Sequence, residues 1–260
     1  MGAEPGCPVC GLVIPSALAN REAAAPTGSD PSAPVGLGCP NRWCRLPSRS
    51  FSVVYSLGRY EGALRRAITR YKYRGDRSLA TVFARMVLSY LEQHAAWFEE
   101  VSVITAVPAY TGPGARRGWD HMGALLAEMA TASPGWWPVE AGLVVKTRDS
   151  PPMAGRSWSE RQTLASGPLR RALRGGAAPL AGTQVLLIDD VMAEGSTLNE
   201  VARALRRSGA SDVTGLVLAR AGWSPVPPVA SAPGRGGLAA AAASSLLRPP
   251  PRRSCGAASP

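Results

Sequence analysis

Apolar runs alternate with helical periods through the middle of this chain, the pattern of an α/β domain. Val185 to Ile188 is an unbroken apolar run, as in a parallel strand covered on both faces, and Val101 to Val107 and Val213 to Leu218 are of the same buried type. Phe51 to Ser56 and Gly142 to Lys146 also read as strands. Between them, Glu61 to Arg70, Ser78 to His94 and the residues after Asp120 carry helical spacing. Leu198, Val201, Ala202 and Leu205 place a further helix from Thr197, with Arg206 and Arg207 in its last turn and Gly209 as its stop. The expected fold is a mostly parallel sheet flanked by helices.

The richest stretch runs from Val185 to Ala210, VLLIDDVMAEGSTLNEVARALRRSGA. Asp189 and Asp190 fall where its strand should end, the edge at which open α/β sheets collect ligands. The loop Ala193, Glu194, Gly195, Ser196 and Thr197 then opens directly into the helix. First-turn amides lack intrahelical acceptors and the helix dipole favours an anion, so Gly195, Ser196 and Thr197 form a cradle for one phosphate. Two neighbouring carboxylates suit ribose hydroxyls or a hydrated Mg²⁺. A bare Asp-Asp pair would read only as a turn capping a helix; the whole strand, acid pair, Gly-Ser-Thr and helix string is far more specific.

Four cysteines bracket a Pro, Ala and Gly-rich insert near the start: Cys7 and Cys10 in CPVC, Cys39 and Cys44 in CPNRWC. Four thiolates in two clusters are the ligand set of a structural Zn²⁺, though the second spacing is wider than the tight knuckle by two residues. A disulfide pair, or a decayed ribbon with free thiols, are the alternatives. Elsewhere, Lys72 and Arg74 alternate with tyrosines in YKYRGD, a cationic hinge able to grip phosphate or to sit solvated. Arg116 and Arg117 stand in a Gly-rich turn before a helix that Asp120 can cap. His121 reads as the first turn of that helix rather than as a base. The polar segment Thr147 to Gln162 carries Arg148, Arg156 and Arg161 and has the character of a loop that folds over a ligand.

Composition sets the frame. The 260 residues, 45% apolar, suit one α/β domain with a small appendage. The net charge of +11 is almost wholly arginine, since Lys72 and Lys146 are the only lysines. Arginine suits phosphate recognition, although high Ala, Gly, Pro and Arg usage also follows from a GC-rich genome. No apolar run approaches the roughly 20 residues that span a bilayer, and MGAEPGCPVC lacks the regions of a signal peptide, so a cytoplasmic protein with no membrane span is expected. The expected division is a cysteine-rich segment over 1–50, the α/β domain over 51–221 and a disordered Pro, Ala and Arg-rich tail over 222–260.

These blocks bring a family into view. The Val185 to Ala210 string resembles the 5-phosphoribosyl-1-diphosphate (PRPP) signature of type I phosphoribosyltransferases. Over about Cys7 to Arg220 the chain resembles the ComF family, through the cysteine-rich start, YKYRGD, AVPAY, RRGWDH, KTRDSPPMAGRSWSERQ and the PRPP-like string, in that order. The resemblance implies a type I phosphoribosyltransferase-like fold preceded by a small zinc-ribbon-like segment. It implies ribose contacts from Asp189 and Asp190, a 5′-phosphate held by Ala193 to Thr197 with Mg²⁺, and pyrophosphate contacts from the loop bearing Arg116 and Arg117. One departure stands out: family loops usually carry Thr just before the Gly, and here Glu194 sets a carboxylate beside the expected phosphate, a repulsion that Mg²⁺ or an arginine would have to screen. Two functions stay open. One is phosphoribosyl transfer to or from a base; the other is a non-catalytic competence protein handling incoming single-stranded DNA with the DNA-uptake machinery, as ComF relatives are associated with natural competence.

Overall fold

In the computed structural model, residues 7–12, 39–115, 118–153 and 155–222 are described. Arg116, Arg117 and the expected tail beyond Gly222 lie outside them. In chain order the elements are β1 (Val54–Ser56), α1 (Gly62–Arg74), α2 (Leu79–Gln93), β2 (Val103–Ala106), α3 (His121–Ala132), β3 (Val144–Lys146), α4 (Trp158–Leu164), β4 (Leu173–Gly175), β5 (Gln184–Met192), α5 (Ser196–Arg207) and β6 (Asp212–Arg220).

Among the described residues, β1, β6, β5 and β2 lie side by side in that order, every pair parallel. The continuous apolar run of β5 now has its reason. Leu186 and Ile188 face a core built by α1, α2 and α3, around Tyr71, Phe83, Leu91, Met122 and Met129. Val185 and Leu187 face the opposite core, with Leu198, Val201 and Leu205 of α5. A strand sandwiched between two helical layers has no solvent face on which to place polar residues.

Three expectations change in detail. First, β5 does not stop before the acids: Asp189 and Asp190 lie within it, because pairing with β6 continues to Met192 after pairing with β2 has ended at Ile188. Second, Tyr71 to Arg74 are the last turn of α1 and not a hinge; Gly75, at φ 66°, takes the left-handed conformation that ends the helix. Third, Val144–Lys146 leaves the parallel sheet and pairs antiparallel with Leu173–Gly175 as a separate ribbon. Asp120 caps α3 as expected, accepting from the N–H groups of Met122 and Gly123.

The cysteine segment is not a distant appendage. Cys7, Val9, Cys10, Trp43 and Cys44 share one apolar core with Val54, Leu187 and Leu198. The Val54 N–H donates to the Val9 carbonyl at 2.7 Å, tying the segment to the edge strand.

Candidate functional site

A pocket opens at the carboxyl end of β5, lined by Met153, Arg161, Asp189 and residues 191–198. It forms because β5 outruns β2 and the chain then turns back into α5. Gly195 makes the turn at φ 100°, a backbone conformation that strains any other residue, and an added Cβ would also have to displace the Met192 methyl, 2.6 Å away. All of Ala193 to Thr197 therefore line one concavity at a helix N-terminus.

The two aspartates part company. Alternation along the strand turns Asp189 toward the pocket and Asp190 to the opposite face, so they do not form one paired-carboxylate site. Asp190 is 1% exposed. It accepts from Lys72 Nζ at 2.6 Å and lies 2.8 Å from His121 Nε2. Burial opposes its ionisation, but Lys72 and His121 outweigh this and hold its carboxyl well below the usual carboxylate range. Lys72, expected to grip phosphate, is committed to Asp190 instead. Tyr71, beside it on α1, donates its hydroxyl to the His121 carbonyl, and burial raises the Tyr71 pKa.

Glu194 finds the arginine that its position demands. Arg161, from α4, lies 3.2 Å from its carboxylate. Burial raises the Glu194 pKa, with Arg161, Arg220 and Arg42 pulling the other way. Of the three arginines in the Thr147 to Gln162 segment, Arg161 lines the pocket; Arg148 donates to the Arg171 carbonyl and Arg156 pairs with Glu160. Gln162 Nε2 donates to Ser196 Oγ at 2.9 Å, so α4 is fastened to the loop by two consecutive residues.

The cysteine segment meets the loop from behind. Asn41 Nδ2 donates to the Glu194 carbonyl at 2.9 Å, and Trp43 Nε1 lies 3.2 Å from Ser196 Oγ. Arg220, at the end of β6, donates to the carbonyls of Met192 at 2.9 Å and Ala193, and on its other side to the Cys10 carbonyl at 3.3 Å and Cys10 Sγ at 3.6 Å. Asn41, Trp43, Gln162 and Arg220 escaped the sequence reading. The proximity of Asn41 and Trp43 to the cysteines was the available signal.

The four cysteines Cys7, Cys10, Cys39 and Cys44 are buried, reduced, and bring their sulfurs within 4.8 Å of one another. Cys10 Sγ and Cys39 Sγ are 3.7 Å apart. Tetrahedral coordination with metal–sulfur bonds of about 2.3 Å puts sulfurs about 3.8 Å apart, so this spacing fits a tetrathiolate site. Hydrogen bonds from Cys39 and Cys44, with the Arg220 charge nearby, hold the Cys10 thiol far below its ordinary value. The four could hold a structural zinc, and the wider second spacing does not prevent convergence.

Comparison with known proteins follows this geometry. Residues 144–232, which contain the pocket loop and α5, match the family described as Phosphoribosyl transferase domain. The chain thus carries a phosphoribosyltransferase-type domain, a parallel sheet flanked by helices. It is also 26% identical over 184 residues to Competence protein F of Haemophilus influenzae, covering 68% of this chain and 77% of that protein. On both grounds the chain resembles ComF proteins. Among solved structures, phosphoribosylpyrophosphate synthetase from Mycobacterium smegmatis is 18% identical, with 53% of this chain and 33% of that one covered at a TM-score of 0.31. A hypoxanthine phosphoribosyltransferase from Staphylococcus aureus is 10% identical, with 55% and 64% covered at a TM-score of 0.32. The chain spans about a third of the first and just under two thirds of the second. Among the described residues, no helix is long and apolar enough to cross a membrane.

Proposed function

We propose that the pocket at the end of β5 binds the phosphate end of a PRPP-type sugar phosphate together with Mg²⁺, and that the domain transfers phosphoribosyl to or from a base. The observation that carries this reading is the run Ala193 to Thr197 lining, at the N-terminus of α5, the same pocket as Asp189 and Arg161. Amides and hydroxyls there suit a phosphate, and Asp189 suits ribose hydroxyls or the water shell of Mg²⁺. Asp190 serves from behind, holding Lys72 and His121 against the strand. Arg116 and Arg117 take the pyrophosphate in this reading, and ribosyl transfer proceeds by positioning and charge stabilisation without a protein nucleophile. Bound Mg²⁺ supplies charge neutralisation at the diphosphate. The four cysteines hold a structural Zn²⁺ in residues 1–50, ahead of a transferase domain over 51–221.

Calorimetric titration with PRPP and Mg²⁺ tests this, comparing the native chain with Glu194→Thr. Binding by the native chain supports a working phosphoribosyl site, and loss of that binding in Asp189→Asn supports the assignment. No binding by either chain refutes it. Binding only after the substitution means that Glu194 has closed the pocket to PRPP.

The similarity to Competence protein F favours a second reading, a non-catalytic competence protein that handles single-stranded DNA in the cytoplasm with the DNA-uptake machinery. It predicts single-strand binding that weakens steeply with salt and tolerates Asp189→Asn.

A further inference from the structure

Three side chains, two from the cysteine segment and one that bonds to Cys10, hold the phosphate-sized loop through four hydrogen bonds. Arg220 takes the carbonyls of Met192 and Ala193, Asn41 takes the carbonyl of Glu194, and Trp43 takes the hydroxyl of Ser196. In a trans peptide the C=O and the following N–H point in opposite directions. Carbonyls of Ala193 and Glu194 held from the cysteine side therefore turn the N–H groups of Glu194 and Gly195 away from it, while the Met192 carbonyl is also held in the sheet by the Ala221 N–H at 2.9 Å. Glu194 and Gly195 line the pocket. Two amides, one of them the Gly195 N–H of the candidate cradle, are thus oriented from the cysteine side.

Arg220 also carries the electrostatic part. It is 5% exposed and its guanidinium donates to Cys10 Sγ as well as to the loop. A buried cation is costly without a counter-charge. Four thiolates around a divalent ion carry a net charge of about −2, which would balance it, so the metal-loaded cluster holds Arg220 in the position from which it grips the loop. Cobalt or zinc at the cysteines and an anion in the pocket would then share one fastening.

We propose that Arg220 is a positioning residue that couples the two centres: occupancy of the Cys7, Cys10, Cys39 and Cys44 site by a divalent metal preorganises the Ala193 to Thr197 loop for phosphate, and phosphate binding in turn retains the metal. This rests on the phosphate reading of the pocket. Linkage makes the effect reciprocal, and couplings of this kind are typically about 5- to 150-fold.

The test uses the full chain loaded with Zn²⁺, ribose 5-phosphate with Mg²⁺ as the probe, and two readouts. One is the probe's affinity by calorimetry. The other is the zinc affinity, from equilibrium competition with a chromophoric chelator, with and without saturating probe. The native chain should bind the probe and hold zinc at least about fivefold more tightly when it is bound. Arg220→Lys keeps a cation beside Cys10 but loses the fork that spans to the loop. It should retain zinc, bind the probe at least about fivefold more weakly, and show a zinc affinity that no longer responds to the probe. In cobalt-substituted protein, the visible bands of the tetrathiolate should shift on probe addition to the native chain and stay fixed in Arg220→Lys. Should Arg220→Lys fail to fold, Asn41→Ala, which removes the Glu194 carbonyl contact and the acceptor for the Trp43 N–H while leaving Arg220 in place, should partially reduce the gain in zinc affinity. Probe binding by the native chain with zinc affinity and cobalt bands unchanged overturns the coupling and leaves the phosphate site standing. No probe binding by zinc-loaded native chain overturns both.

Discussion

Lys72→Met isolates the clamp behind the pocket. The Asp190 side chain is 2% exposed and that of Lys72 17%, with their charged atoms 2.5 Å apart. Removing one partner of a buried pair costs roughly 3–5 kcal/mol, because the remaining charge keeps its desolvation penalty. His121 stays in contact and Lys72 is partly reached by water, which puts the loss at the low end, about 3 kcal/mol. For a domain of this size that lowers Tm by roughly 6–12 °C. The pH dependence gives the sharper check. A carboxyl held below its unfolded value stabilises the fold above about pH 4 and loses that contribution as pH falls through the depressed folded value. In Lys72→Met the same carboxyl loses its cation while burial still acts, so it takes up a proton at higher pH than in the native chain. The stability gap, measured by urea unfolding, should therefore be largest near pH 7.5 and narrow toward pH 4.5. Adding Asp190→Asn to Lys72→Met should recover part of the loss. A gap under about 1 kcal/mol at pH 7.5, or one unchanged at pH 4.5, would refute the account of Asp190 as a buried ion held by Lys72.

The neighbouring acids should separate cleanly: Asp189→Asn should leave the melting temperature within about 2 °C of native yet weaken ribose 5-phosphate binding with Mg²⁺ about tenfold, whereas Asp190→Asn should lower stability first. Glu194→Gln removes the carboxylate that competes for Arg161 and should strengthen ribose 5-phosphate binding on the order of tenfold at pH 7.5. That gain should shrink toward pH 5, because the raised Glu194 pKa neutralises the native side chain early as pH falls; calorimetry at the two pH values checks both statements. Glu200, 2% exposed and hydrogen-bonded by Arg170 and Arg203, ties α5 to the segment after α4, and Glu200→Ala should cost about 3 kcal/mol in urea unfolding. Purified protein should contain one zinc per chain, and Cys10→Ser should lose it, as read by elemental analysis.

The layered sheet was legible because its signal is local. Apolar runs and helical periods lie in consecutive residues, and the loop from Ala193 to Thr197 announced its helix and its turn. The partners of Asp190 were not legible, since Lys72 and His121 come from helices far apart in the chain and meet only because α1 and α3 cover the same sheet face. Their residue types allowed many roles. The opposed directions of Asp189 and Asp190 follow from strand alternation once the strand is known to run past them; its apolar run ended at Ile188, and pairing with β6 extended it. Lys72 read as a phosphate ligand because a cation among tyrosines looks the same in sequence whether it faces solvent or a buried acid. Gln162 and Arg220 gave no signal at all, being ordinary polar residues until the loop is brought beside them.

The strand order has a consequence for how the chain is made. β1 has β6 as its neighbour in the sheet, and Cys10 is gripped by the side chain of Arg220, so parts early in the chain are completed by the last ones described. A chain emerging from the ribosome would assemble β2, β5 and α5 while β1 and the cysteines still wait for β6. During that interval the thiols are open to metal and oxidant alike. Premature termination before Asp212 would leave β1 without its neighbour, β5 paired only with β2, and Cys10 without the grip of Arg220.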